Sequence, residues 1–343
     1  MPIEPHDRVR WGILGTGGIA AAFARDLQLV DDAEVVAVGS RRRESAGEFA
    51  ARFDLPRSYG SYEELVADPD VDVVYVATPQ TVHAANIRLA LEAGRPVLCE
   101  KPFTVTAAEA RDVVALARER GLFLMEAMWT RFLPHMRRID QLLRSEVLGE
   151  ITTVVADHGQ LIPPGEHRLH RPELAGGALL DLGVYPVSFA SHLLGRPATV
   201  TAAGTLLSSG LDAQTSMVLT YEGGAHAVLT TTLGARTPNR AAITGTQARI
   251  EIDDVWYTPT SFSLVRPASA TPERFEQPRV GGGLRHQAIE VGRLLRAGAT
   301  ESPLMPLDET VWIMETLDEV RRQIGLRFPG EPAVEPAAQP MAS

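Results

Sequence analysis

The sequence predicts a two-domain protein of the α/β class, in which a doubly wound parallel sheet precedes an α+β domain with a mainly antiparallel sheet. Between residues 9 and 126, buried-strand patterns alternate with helical patterns. From Ile151 onward, strand patterns follow one another with few helices between them. The 343-residue length also exceeds the usual size of a single core. We place the domains at 1–128 and 129–330, and expect the Pro- and Ala-rich segment 331–343 to be a disordered tail.

A glycine-rich turn after the first predicted strand is the clearest candidate binding site. Val9–Leu14 has the pattern of a buried strand, and residues 15–20 match the spacing G-x-G-x-x-G/A. Gly15 would allow a tight turn, Gly17 would let the backbone approach a pyrophosphate, and Ala20 would let the next helix pack on the strand. The free N–H groups at the start of that helix favour an anion. The predicted dinucleotide-binding residues of this turn are Gly15, Thr16, Gly17, Gly18 and Ile19.

The end of the second predicted strand, Glu34–Gly39, indicates which dinucleotide binds. In NAD-binding proteins an Asp or Glu here usually binds the ribose 2′-hydroxyl. In this chain Ser40 is followed by three arginines at positions 41–43. A hydroxyl and guanidinium groups suit a 2′-phosphate, which a carboxylate would repel. We predict NADP rather than NAD, bound by Ser40, Arg41 and Arg42, and expect one or two of the three arginines to be ordinary surface charges.

The rest of the first domain continues the alternation of strands and helices. Three more strands are predicted, at Val71–Ala77, Arg95–Cys99 and Leu122–Glu126. Further helices are predicted at Glu44–Phe53, at His83–Ala93, and after two capping boxes, Ser61-x-x-Glu64 and Thr106-x-x-Glu109. Because ligands bind at the carboxyl ends of parallel strands, the residues that follow two of these strands are candidates for the site: Thr78-Pro79 and Glu100-Lys101-Pro102.

The second domain is predicted to contain strands at residues 151–159, 198–207, 215–223, 226–233, 241–253 and 262–265. We expect Gly223-Gly224 to form a two-residue hairpin turn. A late helix, Asp308–Ile324, is predicted to be capped by Asp308 and to end at Gly325. Strands such as Val228–Leu233 carry apolar or Thr side chains on both alternating faces. One face must cover the helices, so we expect a second copy to cover the other in a homodimer, with a tetramer as the alternative.

Three fragments could carry chemistry, and each also has a purely structural interpretation. Lys101 follows a strand, where it could hold a substrate hydroxyl or be a surface lysine. Asp181 and Tyr185 lie four residues apart and would share one face of a helix, although they could instead be a capping acid and a core tyrosine. The aromatic residues of segment 125–132 are more often part of a core than of a site.

Three histidines invite a metal site, but their spacing fits no zinc pattern and no cysteines accompany them. We therefore predict no metal. We expect His158, His167 and His170 to lie in the loop between residues 159 and 176, which could fold over the substrate. His170 or Arg171 is the candidate for contact with the substrate there.

Composition and charge exclude several classes of protein. The net charge of −10 argues against a nucleic-acid partner. The single cysteine, Cys99, cannot form an intrachain disulfide and fits a reducing compartment. The start of the chain lacks the apolar core of a secretory signal, and we find no run of about 18 apolar residues that would predict a membrane span. We expect a cytoplasmic protein without a membrane partner.

Taken in order, these motifs resemble the glucose–fructose oxidoreductase/inositol dehydrogenase (Gfo/Idh/MocA) family over roughly residues 9–325. The ordered set is GxGxxA, TPxxxH, EKP and GGxxxDxGxY. The resemblance implies an N-terminal Rossmann domain that binds NADP, and a C-terminal domain that binds substrate and forms oligomers through its open sheet. The cofactor-binding residues that it implies beyond the glycine turn and second strand are Thr78, Pro79, His83, Glu100 and Lys101. Its implied catalytic residues are Lys101, Asp181 and Tyr185.

One departure and one further similarity indicate a branch of that family. Members similar to inositol dehydrogenase carry histidine where this chain has Tyr185, which points to the branch that includes glucose–fructose oxidoreductase and sugar ketoreductases. The segment 126–134, EAMWTRFLP, looks most like the dihydrodiol and NADP-dependent xylose dehydrogenases of that branch. The resemblance implies that Trp129 lines the substrate pocket. With Arg131 and Tyr185, and with His170 of the loop described above, it forms the predicted substrate-binding set.

The expected activity is hydride transfer between NADP and a secondary alcohol, hemiacetal or ketone of a sugar-like or diol molecule. Aldose or dihydrodiol dehydrogenation and keto-sugar reduction both remain possible, and the other class is a non-catalytic NADP-binding sensor. Such a sensor would not need Lys101, Asp181 and Tyr185. We expect Tyr185 to be the general acid/base, and Asp181 to orient the substrate or Lys101. The Lys101 ammonium and the positive charge of the oxidised nicotinamide should together lower the pKa of Tyr185 toward the working range. His170 is the alternative acid/base.

Overall fold

The computed structural model describes residues 8–165, 167–267, 269, 271–276, 278 and 280–331. The predicted tail, 331–343, lies outside these residues except for its first position. The described chain forms two sheets with helices around them, so the predicted fold class is confirmed.

The first sheet is parallel, and its six strands stand in the order β3-β2-β1-β4-β5-β6. Its strands are β1 (Val9–Leu14), β2 (Ala33–Gly39), β3 (Arg57–Tyr59), β4 (Val73–Val76), β5 (Val97–Glu100) and β6 (Leu124–Ala127). Its helices are α1 (Gly18–Leu27), α2 (Arg43–Phe53), α3 (Tyr62–Val66), α4 (His83–Glu92) and α5 (Ala107–Arg120). The strand order reverses between β1 and β4, which opens a crevice at their carboxyl ends. The three-residue strand β3 was not predicted.

Helix α6 (Pro134–Arg144) leads to the second sheet, which has eight strands in the order β14-β13-β12-β11-β7-β10-β9-β8. These strands are β7 (Ile151–Gly159), β8 (Thr199–Leu206), β9 (Asp212–Thr220), β10 (His226–Thr232), β11 (Ala241–Gly245), β12 (Arg249–Ile252), β13 (Phe262–Val265) and β14 (Glu273–Phe275). Every pair is antiparallel except β7 with β10. The predicted segment 241–253 is thus two strands, and β14 was not predicted.

Two local predictions in this domain need correction. The hairpin between β9 and β10 turns at Glu222-Gly223, because Gly224 N donates to Tyr221 O at 2.9 Å. Gly224 follows with a φ of 82° and is not a central residue of the turn. Asp308 does not cap the late helix: it lies in the first turn, where it pairs with Arg118 at 2.8 Å.

The last two helices, α8 (Arg285–Arg296) and α9 (Leu307–Ile324), return to the first sheet. Helix α8 packs on α1, and α9 packs on α5 and β6 as well as on β8. Leu124 N in β6 donates to Thr300 O between the two helices. The end of α9 follows the prediction, since Gly325 has a φ of 74° there. Residues 285–324 therefore complete the core of the first domain.

One described segment is long and apolar enough to cross a membrane by composition. It is Pro172–Leu194, in which an 18-residue stretch has a mean hydropathy of 1.3 and 94% of that stretch is buried inside the structure. Such burial is typical of a core helix. This segment contains helix α7 (Val184–Leu194), which carries one side of the site.

Candidate active site

A cavity of about 860 Å³ lies at the carboxyl ends of the first sheet. Among the predicted residues, those that line it are Gly15, Thr16, Gly17, Gly18, Ile19, Ser40, Arg41, Arg42, Thr78, Pro79, His83, Glu100, Lys101 and Tyr185. The lining residues that were not predicted include Ser45, Tyr62, Gln80, Arg168 and Leu174. The cavity is large enough for a dinucleotide and a small substrate.

The glycine turn has the geometry that a bound pyrophosphate needs. The φ of Gly15 is 108°, and a Cβ there would lie 2.7 Å from Ala77 O, so only glycine fits. At Gly17 and Gly18 a Cβ would meet nothing within 4 Å, which leaves open space beside the backbone. No side chain caps the N-terminus of α1. Its free N–H groups therefore face the cavity and suit an anion.

The three arginines after β2 differ in their surroundings. Ser40, Arg41 and Arg42 line the cavity, and the Arg42 N–H donates to Ser40 Oγ at 3.4 Å. Arg43 instead pairs with Glu64 at 3.1 Å and is not among the lining residues. Arg41 and Arg42 are therefore the guanidinium groups placed to contact a 2′-phosphate.

His83 joins the two loops that follow β4 and β5. Its ring nitrogens each lie 2.9 Å from a carbonyl oxygen, Nε2 from Thr78 O and Nδ1 from Pro102 O. Burial lowers the pKa of His83, although the surrounding carbonyl groups oppose this. Thr78 Oγ1 in turn accepts from Asn86 Nδ2 at 3.0 Å. His83 therefore shapes the floor of the cavity.

Lys101 and Asp181 form a buried ion pair at one end of the cavity. Lys101 Nζ donates to Asp181 Oδ1 and to Asp181 O, both at 2.9 Å. Arg168 Nη2 donates to the same Oδ1 at 2.7 Å. Burial alone would raise the pKa of Asp181, but the two cations outweigh it and the pKa is lowered. Burial likewise disfavours the charged lysine, but Asp181 outweighs it and the pKa of Lys101 is raised, so both groups are charged.

Tyr185 is brought to this pair by an unusual turn. Residues Leu179–Gly183 form one turn of π-helix, and Leu179 N donates to Asp212 Oδ2 from β9 at 2.8 Å. The Lys101 ammonium lies 4.9 Å above the Tyr185 ring. The Tyr185 hydroxyl accepts from Trp129 Nε1 at 2.9 Å. The structure therefore brings the three predicted catalytic residues together.

The pKa of Tyr185 departs from the prediction. Burial raises it, and although the Lys101 ammonium and the Trp129 N–H both lower it, the net result is a raised pKa. The predicted fall counted the ammonium and the positive charge of the oxidised nicotinamide but not the loss of water around the phenol, and the groups of the chain alone do not lower the pKa. Lys101 and Trp129 limit the rise and do not reverse it.

Glu100 lies beneath Lys101 and is nearly inaccessible to solvent. Its Oε1 accepts from the Tyr75 hydroxyl at 2.5 Å, and its Oε2 accepts from Lys101 N at 3.2 Å. Burial raises the pKa of Glu100 to about 7, although Tyr75 and Lys101 oppose the rise. Glu100 can thus exist in either protonation state near neutral pH.

Of the four predicted substrate contacts, Tyr185 lines the cavity, whereas Trp129, Arg131 and His170 are not among its lining residues. Trp129 lies behind Tyr185 and binds its hydroxyl. Arg131 is 2% exposed, and its guanidinium binds Ser188 and Glu309, the latter at 2.7 Å. That prediction was wrong, because buried partners occupy the side chain. His170 Nε2 instead lies 3.0 Å from Ile162 O, and His170 is not among the lining residues. Arg168, two residues earlier, lines the cavity in its place.

Two further aromatic residues lie behind Tyr185. His158 is in β7, not in the predicted loop, and its ring stacks on Tyr257 with centroids 3.8 Å apart. It also packs edge-on against Tyr185 at 5.1 Å. Burial lowers the pKa of His158 to about 3, and Lys101 adds to the effect, so its imidazole is neutral. The alternation of buried residues along β7 could have placed His158 on the inner face, whereas nothing local marks Tyr257.

Comparisons with known proteins agree on the family to which this chain belongs. Residues 9–128 match the model of an oxidoreductase family with an NAD-binding Rossmann fold, and residues 136–251 match the GFO/IDH/MocA C-terminal domain. The chain is 39% identical over 331 residues to trans-1,2-dihydrobenzene-1,2-diol dehydrogenase of Sus scrofa, covering 94% of this chain and 98% of that protein. It is 38% identical over 333 residues to the Homo sapiens protein of the same name, with the same coverage.

Solved structures give the same result. A 3-ketoreductase from Actinomadura kijaniata in complex with NADP is 29% identical, with a TM-score of 0.77, and the match covers 93% of this chain and 98% of that one. An aldose-aldose oxidoreductase from Caulobacter crescentus complexed with glycerol is 25% identical, with a TM-score of 0.84 and coverages of 92% and 97%. Both matches span the two domains.

Proposed function

Because the chain belongs to the Gfo/Idh/MocA family of oxidoreductases, it is an NADP-dependent dehydrogenase or reductase of CH–OH groups, and we propose that its substrate is a diol or sugar-like molecule. The predicted family, fold class, enzyme class and cofactor are confirmed. The similar proteins are named for a diol, for 3-ketone reduction and for aldoses, and these names support that substrate class. Hydride transfer can run in either direction on such molecules.

The observation that carries the proposal is the cluster of Lys101, Asp181 and Tyr185 at one end of a cavity whose other end fits a dinucleotide. When bound, NADP supplies the hydride acceptor or donor. Residues 15–19 would hold its pyrophosphate, and Arg41 and Arg42 its 2′-phosphate. The Tyr185 hydroxyl would lie beside the reacting carbon.

Residues of the chain transfer the proton of the substrate hydroxyl group. In oxidation the Tyr185 oxygen takes the proton of the substrate hydroxyl, and in reduction it returns a proton to the carbonyl oxygen. The Lys101 ammonium and the Trp129 N–H stabilise the phenolate form. Asp181 holds Lys101 in place and does not move the proton itself, because its pKa is lowered.

A substrate panel tests the activity. Purified protein with NADP⁺ or NADPH is mixed with diols, aldoses, polyols and dicarbonyls, and nicotinamide absorbance is followed. We expect turnover of at least one diol or sugar-like compound. Tight NADPH binding with no turnover of any compound would favour the sensor interpretation.

Cofactor preference depends on the two arginines that face the cavity. A charge-assisted hydrogen bond contributes about 1.5–3 kcal/mol, so losing one contact should weaken NADP(H) binding about 10- to 150-fold. We expect Arg41→Ala and Arg42→Ala to show this loss, mainly through one of the two. Binding constants for NADPH and NADH measure it. Arg43→Ala is the matched control, because Arg43 pairs with Glu64. Equal efficiency of the unchanged protein with NAD⁺ would contradict the assignment.

We also propose a homodimer through the open face of the second sheet. Three valines form a row across adjacent strands there, Val155, Val228 and Val218, and they are 46%, 43% and 38% exposed. Water-exposed valines side by side favour burial against a second copy. We expect light scattering to show twice the chain mass of 37.1 kDa. Val228→Glu should give monomers, whereas Leu29→Glu, at a 52% exposed position elsewhere, should not. A monomer for the unchanged protein would contradict the proposal.

A further inference from the structure

The orientation of the Trp129 indole depends on a glycine far along the chain. Trp129 Nε1 donates to the Tyr185 hydroxyl oxygen at 2.9 Å. Gly283 is buried against the indole edge: a Cβ there would lie 3.1 Å from Trp129 Cζ3, 2.8 Å from Leu133 Cδ2 and 2.9 Å from Pro259 Cγ. Its φ is 101°, in the region that glycine favours. Position 283 therefore excludes a side chain on two independent grounds.

The carboxylate of Asp26, in the cofactor-binding domain, accepts hydrogen bonds from the backbone near Gly283. Asp26 in α1 is 4% exposed. Its Oδ1 accepts from Gly282 N at 2.6 Å, and its Oδ2 accepts from Arg285 N at 3.3 Å. A Cβ at Gly281 would lie 2.7 Å from the same Oδ1. One buried side chain thus holds the segment that enters α8.

We infer that Gly283 is a positioning residue for the reaction: its bare backbone keeps the Trp129 indole where the N–H reaches the Tyr185 hydroxyl, and Asp26 keeps Gly283 in place. The inference rests on the proposed acid/base role of Tyr185. An N–H donor stabilises a phenolate more than a phenol. Without that donor, less of Tyr185 is ionised at a given pH, and oxidation slows.

Other titratable groups also face Tyr185, and the test must separate them from Trp129. These groups are Lys101, Asp181, Glu100, Tyr75, His158 and Tyr257. If Gly283→Ala lowers kcat by displacing the indole N–H, it must have no effect in a variant that already lacks this N–H. If Gly283→Ala acts through any of the other groups, it must lower kcat in that variant as well.

The kinetic test is a double-mutant cycle with a glycine control. Gly283→Ala should lower kcat of oxidation about 10- to 150-fold, the value of one hydrogen bond to a charged group, and leave NADPH binding unchanged. In the Trp129→Phe background it should cause no further loss. The control is Gly298→Ala, because Gly298 has a φ of 67° and a Cβ there would meet nothing within 4 Å. Equal losses in the two backgrounds would overturn the inference.

A spectroscopic readout tests the geometry without turnover. Isotope-labelled tryptophan gives four indole N–H resonances, and Trp129→Phe identifies one of them. Gly283→Ala should move that resonance as Tyr185→Phe does, and Gly298→Ala should not. If Gly283→Ala fails to fold, Asp26→Ala should move it and Asp26→Asn, which keeps an acceptor oxygen, should restore it. A resonance that stays in place in the folded variants overturns the inference. A resonance that moves while kcat is unchanged upholds the positioning and refutes the acid/base role of Tyr185.

Discussion

Replacement of Tyr185 by phenylalanine is expected to lower kcat by about 10²–10⁴-fold, the usual cost of removing a positioned acid/base. The ring remains, so its packing on His158 and beneath the Lys101 ammonium is kept. NADPH binding should therefore stay close to that of the unchanged protein. Steady-state rates and a fluorescence titration with NADPH measure the two quantities separately.

The control for this change is Tyr221→Phe. Tyr221 is a buried tyrosine of the second domain whose hydroxyl has no hydrogen-bond partner among the described residues. Its removal should leave kcat unchanged. If Tyr185→Phe keeps more than about a third of kcat, well short of the expected loss, the assignment is wrong. His170 would not replace Tyr185 in that case, because it does not line the cavity.

Replacement of Lys101 by methionine is expected to lower kcat of oxidation about 10²–10³-fold at neutral pH. A unit charge about 5 Å from a phenolate contributes roughly 3–4 kcal/mol at an effective dielectric constant near 20. Its loss lets burial raise the pKa of Tyr185 further. The rise of the oxidation rate with pH, and the fall of the reduction rate, should both move to higher pH. Arg168 still pairs with Asp181, so the carboxylate keeps a partner and the variant should fold.

The chain offers an unusually direct check of this charge. Of its 33 lysine and arginine residues, only Lys101 is a lysine. Isotope-labelled lysine therefore gives a single ammonium signal, which should persist to higher pH than that of an ordinary lysine because Asp181 raises the pKa of Lys101. Lys101→Arg keeps the charge and should recover part of the pH profile. A profile for Lys101→Met that coincides with that of the unchanged protein would contradict the role.

The secondary structure of the first domain was largely predictable because it depends on short sequence motifs. The capping box of Thr106 and Glu109 is present in full, and the glycine turn lies between β1 and α1 as its spacing indicates. The approach of Lys101 to Asp181 followed from family motifs, since no local pattern connects residues 80 positions apart.

The errors came from features that are not local. Arg131 is buried because it pairs with Glu309, which lies 178 residues further along the chain. The sequence around Arg131 does not reveal a partner so far away. Arg168 begins a three-residue 3₁₀ helix and Gly283 lies in a segment without regular structure, and neither is long enough for a periodicity that marks an inward-facing residue. The direction in which the pKa of Tyr185 shifts depended on burial, and the charged residues of the sequence do not reveal how deeply the phenol is buried.

The return of α8 and α9 to the first sheet has a consequence for how the protein is made. Residues 9–128 are synthesised before α8 and α9, so the surfaces of α1, α5 and β6 that these two helices cover stay bare until residue 324 has been made. Domains usually fold in order of synthesis. Here the core of the nucleotide-binding half is complete only once α9 has been made, although that half is encoded before the second sheet.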